Sequence, residues 1–221
     1  MVCDTVTGSP ESQLDRAVLT IIGGGCIVYP TETFYALGAS VGSAKALERV
    51  NAIKGRPRSK PLPVIIGERE QLAQVMDPDT ASWPGFDSAM ELMDLFWPGS
   101  LSIIVPARKD LPTPLLDARG CVSVRQTPHP QARELCLKTG MPLAATSANV
   151  SGDPAVSELS RLSPAVCMGS DYVLKGDPRP AGGLASTVVR PRGGREVYVY
   201  RVGAVPLEAL ERAGFLVVLE S

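Results

Sequence analysis

The chain has 221 residues, of which 44% are hydrophobic, and its formal net charge at pH 7 is −1. This length and composition provide a sizeable core and exclude a globally disordered protein. The near-zero net charge argues against a generally basic nucleic-acid-binding protein, while leaving room for a local basic patch. The five cysteines contain no C-x-x-C pair, which argues against a disulfide framework and indicates a cytoplasmic location. No apolar segment is long enough to predict a membrane span.

The N-terminal part predicts a flexible tail, residues 1–8, followed by a single domain, residues 9–221. Ser9 and Pro10 are typical of the N-cap and first turn of a helix. The three glycines at 23–25 end this helix and precede an apolar run. A dinucleotide-binding glycine loop has the opposite order, strand first and helix second, so we reject that interpretation.

Short apolar runs alternate with helical patterns along the rest of the chain. The predicted strands are Cys26–Tyr29, Leu62–Ile66, Leu101–Val105, Val122–Val124, Leu143–Ala145, Ser186–Arg190 and Val197–Val202. The predicted helices are one capped by Ser43 and reaching Ile53, then Glu68–Met76, Phe86–Phe96, Gln131–Lys138 and Pro206–Ala213. This alternation favours an α/β fold with three layers around one mixed sheet.

A cationic loop follows the second predicted helix. Residues 54–61, read K-G-R-P-R-S-K-P, place four cations within seven positions: Lys54, Arg56, Arg58 and Lys60. Cations held this close repel one another unless an anion lies between them, so the loop is a candidate anion site. A solvated surface loop of the same composition is the competing interpretation.

Two polar turns follow predicted strands. The first is Pro30–Thr33, and the second is Thr146–Gly152, which carries neutral hydrogen-bond donors. Ligand loops of open α/β sheets commonly lie at such strand ends. If these turns converge with the cationic loop, the loop would supply positive charge and the turns would supply hydrogen bonds. Such a site would suit the binding of a nucleotide triphosphate or a carboxylate.

The sequence offers no obvious nucleophile or base. His129 is the only histidine and lies between two prolines just before a helix, which favours a capping or packing role. The chain has no G-x-S-x-G turn, and its carboxylates are scattered, so the metal ligands stay unknown. Nucleotidyl transfer requires neither a nucleophile nor a base from the protein. Positioning of the reactants and neutralisation of their charge, with the help of Mg²⁺, are sufficient.

Six elements, in order along the chain, resemble motifs of the YrdC family. They are Y-P-T-E-T-F-Y-A-L-G at 29–38, K-G-R at 54–56, V-S-V-R at 122–125, T-S-A-N at 146–149, S-T-V-V at 186–189 and Y-R-V-G at 200–203. The resemblance implies a twisted, mixed seven-stranded sheet with helices on both faces and a concave basin. It also implies L-threonylcarbamoyladenylate synthase activity, a nucleotidyl transfer that uses L-threonine, bicarbonate and ATP and releases pyrophosphate.

The resemblance further implies the roles of individual residues. Lys54 and Arg56 would be catalytic. The ATP-binding residues would be Lys54, Arg56, Lys60, Ser147, Asn149 and Arg201, and the threonine-binding residues would be Thr33, Arg125 and Ser186. Mg²⁺ would accompany ATP, and other proteins would pass the threonylcarbamoyl group to tRNA.

Four positions depart from the family pattern. Phe34 replaces a smaller residue, Ala36 replaces a glycine, Ala155 stands where many relatives carry Ser or Thr, and Ile65 stands where longer relatives place a histidine. We therefore expect the short bacterial type, without the extra C-terminal domain. The alternatives are an RNA-binding module of the same fold, a carbamoyl-transfer enzyme similar to hydrogenase-maturation proteins, and an enzyme that adenylates another substrate.

Overall fold

The computed structural model describes residues 10–57 and 59–219. The predicted tail, the N-cap predicted at Ser9 and the cation Arg58 lie outside the described residues. The α-helices are α1 (Pro10–Ile22), α2 (Ala44–Lys54), α3 (Phe86–Phe96), α4 (Pro130–Lys138), α5 (Pro164–Gly169) and α6 (Leu207–Arg212). The strands are β1 (Ile27–Pro30), β2 (Tyr35–Gly38), β3 (Val64–Ile66), β4 (Leu101–Pro106), β5 (Cys121–Gln126), β6 (Leu143–Ala144), β7 (Thr146–Ser147), β8 (Tyr172–Val173), β9 (Thr187–Gly193), β10 (Glu196–Arg201) and β11 (Leu216–Leu219).

Seven strands form a mixed sheet in the order β11-β10-β9-β4-β5-β3-β6. The pairs β10–β11, β4–β9 and β3–β5 are parallel, and the other neighbours are antiparallel. The mixed seven-stranded sheet is therefore confirmed. A second sheet, β7-β2-β1-β8, was not predicted. The chain passes from the first sheet to the second at Ala145, between β6 and β7.

Helices cover both faces of the large sheet. Leu92 and Met93 of α3 belong to the same buried cluster as Ile103 of β4, on one face. Leu135 of α4 packs with Ile65 of β3 on the opposite face. Successive side chains of a strand point to opposite faces of the sheet. Val64 and Ile66 of β3 therefore pack in the cluster that contains α3, and Ile65 packs in the cluster that contains α4. No helix of the described residues has the length and hydrophobicity needed to cross a lipid bilayer.

Several elements differ from their sequence predictions, and α5, β2, β7, β8 and β11 were not predicted. The helix predicted over 68–76 is a 3₁₀-helix, Arg69–Gln74. Gln71 is buried there, and its amide accepts from the Gly67 N–H and donates to the Cys136 carbonyl, each at 2.8 Å. These hydrogen bonds join the 3₁₀-helix to Gly67 and to Cys136 of α4. The strand β2 escaped prediction because all four of its residues are buried and show no polar alternation.

Gly38 allows the second sheet to approach the first. A Cβ atom built on Gly38 would lie 1.7 Å from the carbonyl oxygen of Ala144. The Tyr29 hydroxyl donates a 2.7 Å hydrogen bond to the same oxygen. Only glycine fits between β2 and β6 at this point. The close contact places β6 beside β2, so that the following segment, Thr146–Ser147, can pair with β2.

We predict that Gly38→Ala lowers the free energy of unfolding by about 3 kcal/mol, because the added methyl group overlaps a backbone oxygen. Gly42→Ala is the matched control, since its new methyl group would lie 3.2 Å from the flexible end of Met141. Urea denaturation of both variants measures the difference. Equal, small losses in the two variants would contradict this explanation of the close approach.

Candidate active site

A cavity of about 150 Å³ lies where the two sheets meet. Its walls include Tyr35 and Ala36 of β2, Val64 and Ile65 of β3, and Ser102 of β4. Six of the nine residues that the resemblance assigned to substrates also line it: Thr33, Arg56, Arg125, Ser147, Ser186 and Arg201. Segments that are far apart in the sequence therefore contribute to one site.

The other three assigned residues lie beside the cavity and do not line it. The side chain of Lys60 is exposed, whereas Lys54 and Asn149 are 2% and 8% exposed. The Asn149 side-chain amide donates to the carbonyl groups of Val150 and Asp153 at 2.9 and 2.6 Å. Asn149 is thus engaged within its own loop.

Lys54 joins the cationic loop to the Thr146–Gly152 loop. Its ammonium donates to the carbonyl oxygens of Ser147 and Asn149 at 2.5 and 2.6 Å. Burial, with a smaller contribution from Arg56, lowers the pKa of Lys54 to about 8. The structure brings the two loops into direct contact, and neutral oxygens solvate the cation that joins them.

Arg56 reaches the cavity after a sharp end to α2. Gly55 has a left-handed conformation with φ of 58°, which closes the helix and turns the chain. The Arg56 guanidinium donates to the carbonyl oxygens of Lys60 and Pro61 at 2.9 and 3.0 Å. Burial and then the nearby charge of Arg201 lower the pKa of Arg56. The loop therefore holds this cation through its own backbone.

Arg201 lies at the end of β10 and is held by Ser186. It donates to the Ser186 carbonyl and to the Ser186 hydroxyl, each at 3.0 Å. The Ser102 hydroxyl donates to the same Ser186 oxygen at 3.0 Å. Burial and then the charge of Arg125 lower the pKa of Arg201. Arg56, Arg201 and Arg125 thus form a chain of mutually repelling cations, which favours an anionic ligand.

Arg125 forms an ion pair with a residue that sequence analysis did not assign. Its Nη1 lies 2.6 Å from Oε1 of Glu32, and the side chains are 8% and 18% exposed. The hydroxyl groups of Ser100 and Thr127 donate to the Glu32 carboxylate at 2.9 and 3.3 Å. Desolvation raises the pKa of Glu32, but Arg125 and the hydrogen bonds outweigh it, and the net shift is downward. The sequence feature that could have indicated a role for Glu32 is that it is the only carboxylate of the 29–38 motif.

The turn that carries Thr33 is fixed by hydrogen bonds to its backbone carbonyl groups. The Thr31 hydroxyl donates to the Phe34 carbonyl at 2.7 Å. The Gly182 N–H donates to the Thr33 carbonyl at 2.7 Å, so the segment before β9 supports the turn. All four departures from the family pattern line the cavity: Phe34, Ala36, Ile65 and Ala155. Ile65 lies opposite Arg125 in the β3–β5 register.

His129 supports the fold and does not line the cavity. It occupies the N-cap position of α4, where its side chain makes no capping bond, and it is 4% exposed. Its Nε2 lies 2.9 Å from the Pro178 carbonyl, which can only accept, so Nε2 carries the proton. Burial is the main reason that its pKa is lowered. The packing role that the sequence favoured agrees with this arrangement.

We predict that Glu32→Gln lowers the free energy of unfolding by about 3 kcal/mol at pH 7, because the buried Arg125 loses its counter-ion. A lowered carboxyl pKa contributes stability above the unfolded value, near 4.5, and that contribution disappears as pH falls through the folded value. The difference from the wild-type chain should therefore shrink below pH 4.5.

Urea denaturation at pH 7 and at acidic pH checks this prediction. Glu68→Gln is the matched control, since the Glu68–Arg133 pair is 43% and 46% exposed and should contribute little. A stability loss that is independent of pH would show that the Glu32 charge is not its cause.

The family model named Sua5_yciO_yrdC, described as telomere recombination, matches residues 20–203. Threonylcarbamoyl-AMP synthase of Nitrosococcus oceani is 35% identical over 167 residues, covering 76% of this chain and 87% of that relative. Threonylcarbamoyl-AMP synthase of Bacillus subtilis is 33% identical over 154 residues, which are 69% of this chain and 43% of that relative. The chain thus spans less than half of the second relative.

Two solved structures are also similar. The L-threonine complex of P. abyssi Sua5 has a TM-score of 0.85 and 28% identity, covering 95% of this chain and 59% of that chain. E. coli YciO has a TM-score of 0.76 and 24% identity, covering 92% of this chain and 95% of that chain, and it shows the fold alone. With the matched family model, these similarities show that the chain belongs to the Sua5/YciO/YrdC family.

Proposed function

We propose that this protein is an L-threonylcarbamoyladenylate synthase, a nucleotidyltransferase that makes threonylcarbamoyl-AMP and pyrophosphate from L-threonine, bicarbonate and ATP. The observation that carries the proposal is the grouping of three guanidinium groups around one cavity with the hydroxyl side chains of Thr33, Ser147 and Ser186. The relatives named threonylcarbamoyl-AMP synthase support it.

The proposed chemistry needs anions to be held close together. Bicarbonate loses hydroxide to give carbon dioxide, and the neutral threonine amine attacks its carbon. A C–N bond forms as one C=O π bond opens onto oxygen, and the nitrogen proton passes to the hydroxide, which leaves as water and gives a carbamate. A carbamate oxygen then attacks the α-phosphorus of ATP, and the bond to pyrophosphate breaks. Fixed guanidinium groups screen the two reacting anions and stabilise the leaving group. Binding all reactants in one cavity supplies much of the remaining rate enhancement.

Threonine would occupy the Arg125 side of the cavity. A guanidinium has five N–H donors, and Glu32 contacts one nitrogen, so donors remain for a substrate carboxylate. Thr33 and Ser186 offer hydroxyl groups nearby. P. abyssi Sua5, which is 28% identical to this chain, was solved with L-threonine.

ATP would occupy the opposite side. Arg56 and Arg201 would meet its phosphates, and Ser147 would donate a hydrogen bond from the second loop. Lys60, with its exposed side chain, would reach the phosphates from outside the cavity. Asn149 would support the nucleotide through the loop that it holds together.

The side chains around the cavity do not fit a Mg²⁺ ion held directly by the protein. No three His, Cys, Asp or Glu side chains of the described residues group together, and the described residues that line the cavity include no carboxylate. Mg²⁺ commonly binds through substrate phosphates, so it would arrive with ATP. No step proposed for the protein's own residues depends on the ion.

The product would be consumed by proteins that transfer the threonylcarbamoyl group to tRNA in the cytoplasm. Direct RNA binding is the alternative role of the basic cavity. RNA binding would weaken steeply with salt and would not require threonine.

We predict that pyrophosphate is released from ATP only when threonine and bicarbonate are both present. The reason is that the carbamate, which neither reactant forms alone, is the nucleophile. A pyrophosphate assay with each reactant omitted in turn measures this dependence. Release that is indifferent to threonine would refute the proposed function.

We predict that Arg56→Ala lowers turnover by at least about 100-fold, since it removes a fixed charge from the reacting phosphates. The melting temperature should change little, because the side chain bonds only to carbonyl groups of its own loop. Arg212→Ala, at the exposed end of α6, is the control and should retain activity. A large loss of thermal stability in Arg56→Ala would instead assign this residue a structural role.

A further inference from the structure

The ammonium group of Lys54 has no hydrogen-bond donor left for a ligand. It donates to the Ser147 carbonyl, to the Asn149 carbonyl and, at 3.3 Å, to the Asn149 side-chain oxygen. A lysine ammonium has three N–H donors, and these three oxygens use all of them. The residue is 2% exposed and is not among those that line the cavity. A phosphate could bind Lys54 only by displacing a protein oxygen.

The backbone of Lys54 reinforces the same connection. Its carbonyl accepts a 2.8 Å hydrogen bond from the Ser151 N–H. Lys54 is also the last residue of α2, and a cation is favourable at a helix C-terminus. The end of α2 is therefore tied to the 147–151 segment through both the backbone and the side chain of one residue.

This connection links two groups that line the cavity. Arg56 follows Lys54 by two residues across the turn at Gly55, and Ser147 supplies one of the carbonyls that Lys54 binds. Ala148 adds a further tie, because its N–H donates to the Tyr35 carbonyl at 2.8 Å. Any movement of the Ser147 loop relative to Arg56 must break the hydrogen bonds of Lys54.

We propose that Lys54 is a positioning residue that locks the Ser147–Asn149 loop against the end of α2 and so fixes Ser147 relative to Arg56. It acts on the nucleotide through these residues and does not contact a phosphate. The nucleotide part of this inference rests on the proposed function. The loop-locking part depends only on the hydrogen bonds of the ligand-free protein.

The test compares Lys54→Met, which keeps the length of the side chain and removes its donors, with Lys45→Met. Lys45 is exposed on the same helix and serves as the matched control. Hydrogen exchange of the amides of Ala148, Asn149 and Ser151 is measured in the full chain without ligand. We expect exchange at least about 10-fold faster in Lys54→Met, which corresponds to about 1.4 kcal/mol, and no change in Lys45→Met.

Kinetics provide the second measurement. We expect Lys54→Met to raise the KM for ATP by about 10-fold and to leave the KM for threonine within about 2-fold, because the Arg125 side of the cavity is untouched. A raised KM for ATP with unchanged exchange would mean that Lys54 contacts the nucleotide directly and would overturn the inference. Faster exchange with an unchanged KM for ATP would also overturn it, since the loop would then not affect binding.

Two further measurements apply if the wild-type chain is inactive or if Lys54→Met does not fold. If the wild-type chain releases no pyrophosphate, the proposed function fails, and hydrogen exchange together with calorimetric titration of ATP still decides the role of Lys54. If Lys54→Met does not fold, Asn149→Ala removes one of the three acceptors from the opposite side. Asn149→Asp is its control, because it also loses the amide donors to Val150 and Asp153 but keeps an oxygen acceptor for Lys54. Faster exchange of Ala148 and Ser151 in Asn149→Ala than in Asn149→Asp would support the inference, and equal exchange would overturn it.

Discussion

The repulsion among three guanidinium groups is the constraint on which the site depends. Arg56, Arg125 and Arg201 come from three different segments, and burial, followed by the charge of a neighbouring arginine, lowers the pKa of both Arg56 and Arg201. Glu32 compensates Arg125, whereas Arg56 and Arg201 donate to neutral oxygens. The folded protein thus keeps positive charge in a partly buried cavity, where an anion gains more than it would in water.

The fold holds this charge in place through contacts outside the cavity. Gly38 lets one sheet approach the other, and the Tyr29 hydroxyl fixes the same carbonyl group. Ser186 holds Arg201, and the loop carbonyls hold Arg56. These contacts are mostly neutral hydrogen bonds to backbone, so Arg56 and Arg201 are oriented without being neutralised. This combination suits a site that positions reactants and supplies no nucleophile of its own.

Sequence patterns predicted much of this arrangement, and what they missed depends on long-range contacts. The seven-stranded sheet followed from the resemblance, and the motif residues Arg56, Arg125 and Ser147 all line the cavity. The second sheet was missed because β7 and β8 have only two residues each, too few to show periodicity. The role of Glu32 was missed because its partner Arg125 is distant in the sequence. The burial of Lys54 depends on carbonyl groups 93 and 95 residues away, which no local pattern reveals.

A crystal structure of this protein with L-threonine and a non-hydrolysable ATP analogue would test the proposed site most directly. We expect the threonine carboxylate at hydrogen-bond distance from the Arg125 guanidinium. We also expect the phosphates of the analogue between Arg56 and Arg201. Well-defined ligands bound outside this cavity, or phosphates far from both arginines, would contradict the proposed site.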